Sequence, residues 1–154
     1  YIGLMIDDDG RPSVVEFNAR FGDPETQVVV PLLGEHLLRL LNATACGELG
    51  QVEVPDVSGA VVAVVLASTG YPASSSVGHR FSINSDELDD DVIIHLAGVS
   101  LDSAGMLTSG GRVCTVTAKA ENLTRARTLA YANLACVNYD GAWSRTDIGW
   151  QILT

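Results

Sequence analysis

The sequence predicts an α+β fold in two units, because apolar residues are patterned differently in the two halves of the chain. In residues 1–50, two short strand-like runs flank a polar turn, and a run with helical spacing follows. From residue 59 onward, short apolar runs separated by turns dominate, with one amphipathic helix. Residues 51–58 carry a proline and two acidic residues and are typical of a linker. We therefore expect a first unit at 1–50, a linker at 51–58, and a small β-rich unit at 59–154.

Composition is typical of a globular protein and excludes several classes of partner. The 154 residues are 47% hydrophobic and 18% charged, and the net charge is −10. A single lysine and this acidic balance argue against a nucleic-acid or anionic-membrane partner. The longest apolar run, 59–67, is too short to span a bilayer. Cys46, Cys114 and Cys136 are widely spaced in apolar settings, which predicts reduced, buried thiols in a cytoplasmic protein.

The first unit is predicted to begin with a β-hairpin. Residues 2–6 and 13–17 have strand character, and DDDGRP between them supplies turn residues. The acidic run has an alternative, since four residues match positions 3, 5, 6 and 12 of an EF-hand loop: Asp7, Asp9, Gly10 and Glu16. Position 1 would then be Met5, and the flanks are strand-like, so a solvated hairpin tip is the better interpretation. A helix is expected next, ending at Gly47 or Gly50, from apolar residues at helical spacing: Leu33, Leu37, Leu40, Leu41 and Ala45.

The second unit is predicted to contain three main strands and one helix. Strands are expected at 59–67, 92–97 and 112–117. A helix at 122–137 has Asn122 as its cap and a single apolar face: Leu123, Ala126, Ala130, Leu134 and Val137. The tail from residue 144 has the character of a last strand.

The stretch VVEFNARFGDPETQ, residues 14–27, concentrates residues that bind ions and phosphates. On a strand, Glu16 and Asn18 share one side, where their oxygens can coordinate one hard cation such as Mg²⁺. Arg20 adds a planar fork suited to phosphate or carboxylate, and Gly22 lets the backbone approach a ligand. These residues predict a magnesium–phosphate site at a strand end. A strand followed by an Asx turn, with Arg20 in a surface salt bridge, is equally compatible with them.

The run EFNARFGDPETQ resembles the signature of the glycinamide ribonucleotide synthetases (phosphoribosylamine–glycine ligases), ATP-grasp enzymes of purine biosynthesis. The RFGDPE hexamer, residues 20–25, is highly characteristic of that family. Similarity continues through YIGLMID, GYP, GGRV and RTDIGW, and so covers essentially the whole chain. The resemblance implies the C-terminal part of an ATP-grasp domain followed by a small C-terminal domain with a barrel-sandwich-hybrid-like fold.

The resemblance also implies roles for individual residues. Glu16 and Asn18 would be the ligands of Mg²⁺ or Mn²⁺. Arg20, Gly22 and Asp23 would line the pocket for glycine and 5-phosphoribosylamine, with Pro24 and Glu25 shaping it, and Arg20 would be catalytic. The implied reaction is ADP-forming: ATP phosphorylates the glycine carboxylate, and the amine then displaces phosphate from the glycyl phosphate.

The sequence also departs from the family pattern. Ala73 follows GYP, the segment HLAGVS occupies 95–100, and Ser109 precedes GGRV, so a direct ligand role for the second unit is not implied. Family members carry an N-terminal domain, a glycine-rich ATP lid and an adenine-binding lysine upstream of the motif. The chain alone is therefore expected to be inactive without that N-terminal part. Two alternatives remain: a non-catalytic binding or scaffold module, and another ATP-grasp carboxylate–amine ligase.

Overall fold

The computed structural model describes residues 1–53 and 55–150 and confirms the mixed α and β content. Its strands form one three-stranded sheet and three two-stranded sheets within these residues. The elements in chain order are β1 (Ile2–Ile6), β2 (Pro12–Phe17), α1 (Glu25–Leu33), α2 (Leu37–Cys46), β3 (Ala60–Ala67), β4 (Ser82–Ile83), β5 (Val92–Leu96), β6 (Val99–Asp102), β7 (Gly105–Thr108), β8 (Arg112–Ala120), α3 (Leu123–Ala132) and β9 (Val137–Asn138).

The predicted hairpin is confirmed, with β1 and β2 antiparallel. At its tip, the Asp7 carboxylate accepts hydrogen bonds from the backbone nitrogens of Asp9, at 3.0 Å, and Arg11, at 2.8 Å. Gly10 has a φ of +78°, which favours glycine. Strands flank this acidic turn on both sides, so it has the architecture of a hairpin and not of an EF-hand.

The helical part of the first unit begins earlier than the leucine spacing predicts. Helix α1 starts at Glu25, inside the RFGDPE hexamer, and contains three consecutive valines. Valine favours strands, but α1 packs against β3 and β8, and tertiary packing outweighs that weak preference. A 3₁₀ turn at Gly34–His36 separates α1 from α2. Gly47 then ends α2 in the left-handed conformation, as predicted.

The helical segment Glu25–Cys46 is long and apolar enough, by length and composition alone, to cross a membrane. It is not one continuous α-helix, because Gly34 interrupts it with a φ of +51°. Only 6% of its most apolar window is buried. One side of α1 is nevertheless packed on the three-stranded sheet, an arrangement found in helices of globular proteins.

The three-stranded sheet has the order β3–β8–β5, and all its pairs are antiparallel. These strands are the three predicted ones, although β8 extends to Ala120. Alternate residues of β3 (Val62, Val64 and Leu66) join the main hydrophobic core with Ala126 and Ala130 of α3. Because α1 also contacts β3 and β8, the sheet lies between α3 and α1.

The predicted cap of α3 is confirmed, since the Asn122 side chain accepts a 2.9 Å hydrogen bond from the backbone nitrogen of Arg125. The helix is shorter than predicted and ends at Ala132, with a 3₁₀ turn and β9 completing the segment to 138. The short strands β4, β6, β7 and β9 were not predicted. The predicted tail strand is absent from residues 144–150, and the rest of it lies outside the described residues.

The cysteines only partly follow the prediction. All three are free thiols; Cys114 and Cys136 are buried, and burial raises the pKa of Cys114 to about 12. Cys46 is exposed, so the prediction that it is buried is wrong. It lies at the end of α2, whose only buried residue is Ala43.

Candidate functional site

The structure brings the two predicted metal ligands together at the end of β2. The Tyr1 hydroxyl donates a 2.7 Å hydrogen bond to Oε1 of Glu16. Tyr1 and Asn18 exchange backbone hydrogen bonds of 2.8 and 2.9 Å, which extend the hairpin ladder to Asn18. Gly3 pairs with Glu16, and a β-carbon at Gly3 would lie 3.3 Å from Cγ of Glu16. The Glu16 side chain thus packs against Gly3 and is oriented by its hydrogen bond from the Tyr1 hydroxyl.

Hydrogen bonding favours the ionised form of this carboxylate. The Tyr1 hydroxyl is the largest cause lowering the pKa of Glu16, followed by the Asn18 side chain, with a smaller contribution from the charge of Arg20. The same hydrogen bond raises the pKa of the Tyr1 phenol. Glu16 is therefore an ionised carboxylate at neutral pH that interacts with both Asn18 and Arg20.

The donor set at this strand end fits a hard cation that takes few protein ligands. Within the described residues, no cluster of three or more His, Cys, Asp or Glu side chains is placed to hold a metal. Glu16 and Asn18 together offer carboxylate and amide oxygens. Mg²⁺ typically uses one or two carboxylates and completes its coordination with water and phosphate oxygens. The residues present therefore fit Mg²⁺ bound together with a phosphate substrate.

Gly22 lies buried directly beside this strand end. A β-carbon at Gly22 would lie 2.8 Å from the ring of Tyr1 and would clash with the carboxylate of Glu25. The Gly22 carbonyl accepts a 3.0 Å hydrogen bond from the backbone nitrogen of Thr26, which ties the RFGDPE segment to the first turn of α1. A side chain at position 22 would collide with the ring of Tyr1, whose hydroxyl bonds Glu16.

Arg20 and Asp23 have different surroundings, although they are three residues apart. Arg20 is exposed, and its Nη1 donates a 2.9 Å hydrogen bond to the carbonyl of Phe21. It makes no ion pair within the described part of the chain. Asp23 instead pairs with Arg112, whose Nη2 lies 3.1 Å from its Oδ2. The surface salt bridge considered for Arg20 is therefore not formed, and the anchor of Asp23 is a different arginine.

A cavity of about 490 Å³ lies beside Asp23 and includes residues from both units. Its lining comprises Phe21, Gly22, Asp23, Thr26, Gln27, Val30, His95 and Leu96. Partial burial lowers the pKa of His95, which favours the neutral imidazole at neutral pH. His95 and Leu96 therefore form part of the cavity wall next to the RFGDPE segment. They belong to the segment HLAGVS, which departs from the family pattern.

Comparison with known proteins decides the family. The family model described as "Phosphoribosylglycinamide synthetase, C domain" matches residues 61–151. The chain belongs to the phosphoribosylglycinamide synthetase family. Among curated relatives, the phosphoribosylamine–glycine ligase of Xylella fastidiosa (strain 9a5c) is 42% identical over 99% of this chain and 35% of its own length. That of Chlorobaculum tepidum is 44% identical, over 99% and 36%.

A solved structure agrees with this assignment. The crystal structure of phosphoribosylamine–glycine ligase from Thermotoga maritima superposes with a TM-score of 0.80 at 34% identity, covering 96% of this chain and 36% of that one. This chain therefore spans about a third of the length of these synthetases and corresponds to their C-terminal portion. The family resemblance carried by the RFGDPE segment and the motifs around it is confirmed.

Sequence reasoning missed three residues of this candidate site. Tyr1 precedes the motif, and its pairing with Asn18 follows from the hairpin register, so that contact was accessible from the sequence. Gln27 lies at the end of the quoted motif, and its amide reaches Asp23. Arg112 is separated from Asp23 by 89 residues, and no pattern in the sequence indicates that pairing.

Proposed function

We propose that this chain is the C-terminal portion of an ADP-forming phosphoribosylamine–glycine ligase and supplies its metal-binding strand end and substrate loop. The observation that carries the proposal is the cluster at the end of β2, where the Tyr1 hydroxyl bonds the Glu16 carboxylate beside Asn18, and the Tyr1 ring packs on Gly22. The cluster lies in a chain about 40% identical to ligases of that name. A scaffold would have no need of Glu16, Asn18, Arg20 and Asp23 together.

The proposed reaction has two steps. First, an oxygen of the glycine carboxylate attacks the γ-phosphorus of ATP, forming a P–O bond and releasing ADP. The amine nitrogen of 5-phosphoribosylamine then attacks the carbonyl carbon of the glycyl phosphate. The C–O bond to phosphate breaks, inorganic phosphate leaves, and the nitrogen loses a proton. Both steps depend chiefly on positioning and on neutralisation of phosphate charge.

Glu16 and Asn18 are the residues that would hold Mg²⁺ or Mn²⁺ together with ATP. The bound cation would supply neutralisation of phosphate charge. Within the chain, Tyr1 keeps Glu16 oriented and ionised, which favours cation binding over protonation. Arg20 is exposed, its charge acts on Glu16, and its guanidinium can stabilise the phosphoryl group during transfer.

The RFGDPE segment would form the floor of the pocket for glycine and 5-phosphoribosylamine. Gly22 leaves room for the Tyr1 ring and the Glu25 carboxylate to pack against the loop, and Asp23 borders the 490 Å³ cavity with His95. Pro24 and Glu25 lead into α1 and set the direction of the loop. Because His95 and Leu96 of the second unit line this cavity together with residues of the first, the C-terminal domain would contribute to substrate binding.

The apolar surface of the first unit supports its being part of a longer ligase. Large hydrophobic side chains of the hairpin are more than half exposed: Ile2, Leu4, Met5, Ile6, Val14, Val15 and Phe17. A two-stranded hairpin with this exposure is not stable by itself in water. We infer that the N-terminal part of the same cytoplasmic enzyme covers it and contributes the ATP lid and adenine pocket, so that the 154-residue chain alone is inactive.

Isotope transfer in the intact ligase tests the reaction. Glycine labelled with ¹⁸O in its carboxylate is incubated with ATP, Mg²⁺ and 5-phosphoribosylamine. The mechanism predicts one ¹⁸O atom in each phosphate released, because the glycine oxygen remains on phosphorus when the C–O bond breaks. Turnover without ¹⁸O in phosphate would exclude the glycyl phosphate. A lack of glycine-dependent turnover would exclude the ligase and favour a scaffold or a ligase with another carboxylate substrate.

A further inference from the structure

Asp23 is held by residues outside its own loop through two hydrogen bonds and one ion pair. Nη1 of Arg112 donates to the Asp23 carbonyl at 2.8 Å, and Nη2 lies 3.1 Å from Oδ2 of its carboxylate. The amide nitrogen of Gln27 donates to Oδ1 at 2.8 Å. The backbone and both carboxylate oxygens of Asp23 are thus all engaged, which fixes both the direction of its side chain and the path of the loop.

The attachment of Arg112 to the sheet is itself rigid. Arg112 begins β8, the central strand of the three-stranded sheet. The preceding Gly111 packs so closely on the Tyr71 ring that a β-carbon there would clash with it, and its carbonyl accepts a 2.8 Å hydrogen bond from Ser68. Through its guanidinium, Arg112 therefore links the loop that bears Asp23 to β8, which pairs with a strand on each side.

Stability alone does not explain this pair. Both side chains are 40% exposed, and ion pairs with that exposure contribute little to the free energy of unfolding. What the planar fork of arginine provides is a fixed geometry between two acceptors on one residue. Displacement of a reacting group by about 1 Å can lower a rate by about a hundredfold, so this geometry matters most if the loop contacts substrate.

We propose that Arg112 is a positioning residue of the synthetase reaction: it fixes Asp23, and so the RFGDPE segment, from the second unit. This inference rests on the proposed function of that segment. It gives the small C-terminal domain a specific part in catalysis, namely holding the substrate loop in its productive geometry. Gln27 of α1 holds the same carboxylate from the other side.

Steady-state kinetics of the intact ligase test the role. Arg112→Met removes the hydrogen bond to the Asp23 carbonyl and the ion pair with its carboxylate, and should raise the KM for glycine or 5-phosphoribosylamine about tenfold, with a smaller decrease in kcat. Arg112→Lys keeps the charge and one donor and should restore part of the loss. Arg80→Met is the matched control, since Arg80 makes two 2.8 Å hydrogen bonds to Asp102 elsewhere in the second unit. Wild-type KM values for both Arg112 variants would overturn the inference.

A double-mutant comparison tests whether Arg112 acts through the Asp23 carboxylate. If it does, Arg112→Met should have a smaller effect in an Asp23→Ala background than in the wild type, with a remainder from the hydrogen bond to the carbonyl of residue 23, which alanine keeps. An equal effect in both backgrounds would show that the ion pair with the carboxylate does not position the loop, which would overturn that part of the inference. Kinetics are compared only among variants whose Tm and circular dichroism match the wild type, and Arg112→Lys carries the test if Arg112→Met does not fold.

Hydrogen exchange gives a readout that does not depend on activity. Arg112→Met should increase amide exchange in the peptide covering residues 21–28, where the amides of Thr26 and Gln27 donate to the carbonyls of Gly22 and Pro24, and Arg80→Met should not. Unchanged protection of that peptide would overturn the inference even in an active ligase. Increased exchange in a ligase without glycine-dependent turnover would instead contradict the proposed function and leave the anchoring role intact.

Discussion

The Tyr1 hydroxyl donates a 2.7 Å hydrogen bond to Oε1 of Glu16, and this bond is the main cause of the lowered pKa of that carboxyl. Replacing Tyr1 with Phe in the intact ligase should raise the pKa of Glu16 towards its ordinary value. Since Glu16 must be ionised to bind a cation, the acid limb of the pH profile of kcat/KM should move to higher pH. Tyr131→Phe removes a hydroxyl bonded to the Arg145 carbonyl and serves as the control. An acid limb at the same pH in Tyr1→Phe would show that Tyr1 does not tune Glu16.

Arg20 is the proposed catalytic arginine, and its role can be read from which kinetic constant changes. Arg20→Lys keeps the charge but loses the planar fork, so kcat should fall by about a hundredfold if the guanidinium stabilises the phosphoryl group in transfer. The structure assigns the anchoring of Asp23 to Arg112, so KM values should change much less. The measurement is steady-state kinetics with each substrate varied in turn. An unchanged kcat with a raised KM would mean that Arg20 only shapes the loop.

The hairpin, the main strands and the cap of α3 could be predicted because each follows from local pattern: alternation, turn residues and a capping asparagine. The start of α1 could not, since three valines favour a strand and only packing against β3 and β8 makes them helical. At the site, Glu16 and Asn18 share a strand, so their proximity was predictable. The contact between Arg112 and Asp23 was not, because 89 residues of intervening fold bring them together.

The division of the chain into two units remains a prediction that limited proteolysis can test. Residues 55–58 contain no helix or strand, and among residues 47–53 the only such element is a short 3₁₀ turn at Leu49–Gln51. The first cut in the 154-residue chain should therefore fall between Gly47 and Ser58. Mass spectrometry of the earliest products locates it. Earlier cutting within residues 112–137, which form β8 and α3, would show that the division is wrong.

The ion pair between Arg80 and Asp102 should give the second unit a small acid-dependent stability. The hydrogen bonds from Arg80, and then that from the Ala104 backbone, lower the pKa of Asp102 to about 2, from an ordinary value of 3.8. A lowered folded-state pKa stabilises the fold above the unfolded-state pKa, and this contribution is lost as pH falls from about 4 to about 2. Asp102→Asn should lower Tm slightly at pH 6, with the difference vanishing near pH 2. Asp56→Asn, at an exposed position, is the control; a difference independent of pH would contradict the assignment.

The dependence of turnover on Mg²⁺ in a Glu16→Gln variant of the intact ligase tests the central claim most directly. The change removes one negative charge at constant shape, so the fold and Tm should be nearly unchanged while ligase activity is abolished at ordinary Mg²⁺ concentrations. Glu53→Gln, which neutralises an exposed carboxylate outside the hairpin, should retain wild-type activity. Near-normal turnover of Glu16→Gln at low Mg²⁺ would exclude Glu16 as a metal ligand and contradict the account of this strand end as the metal site.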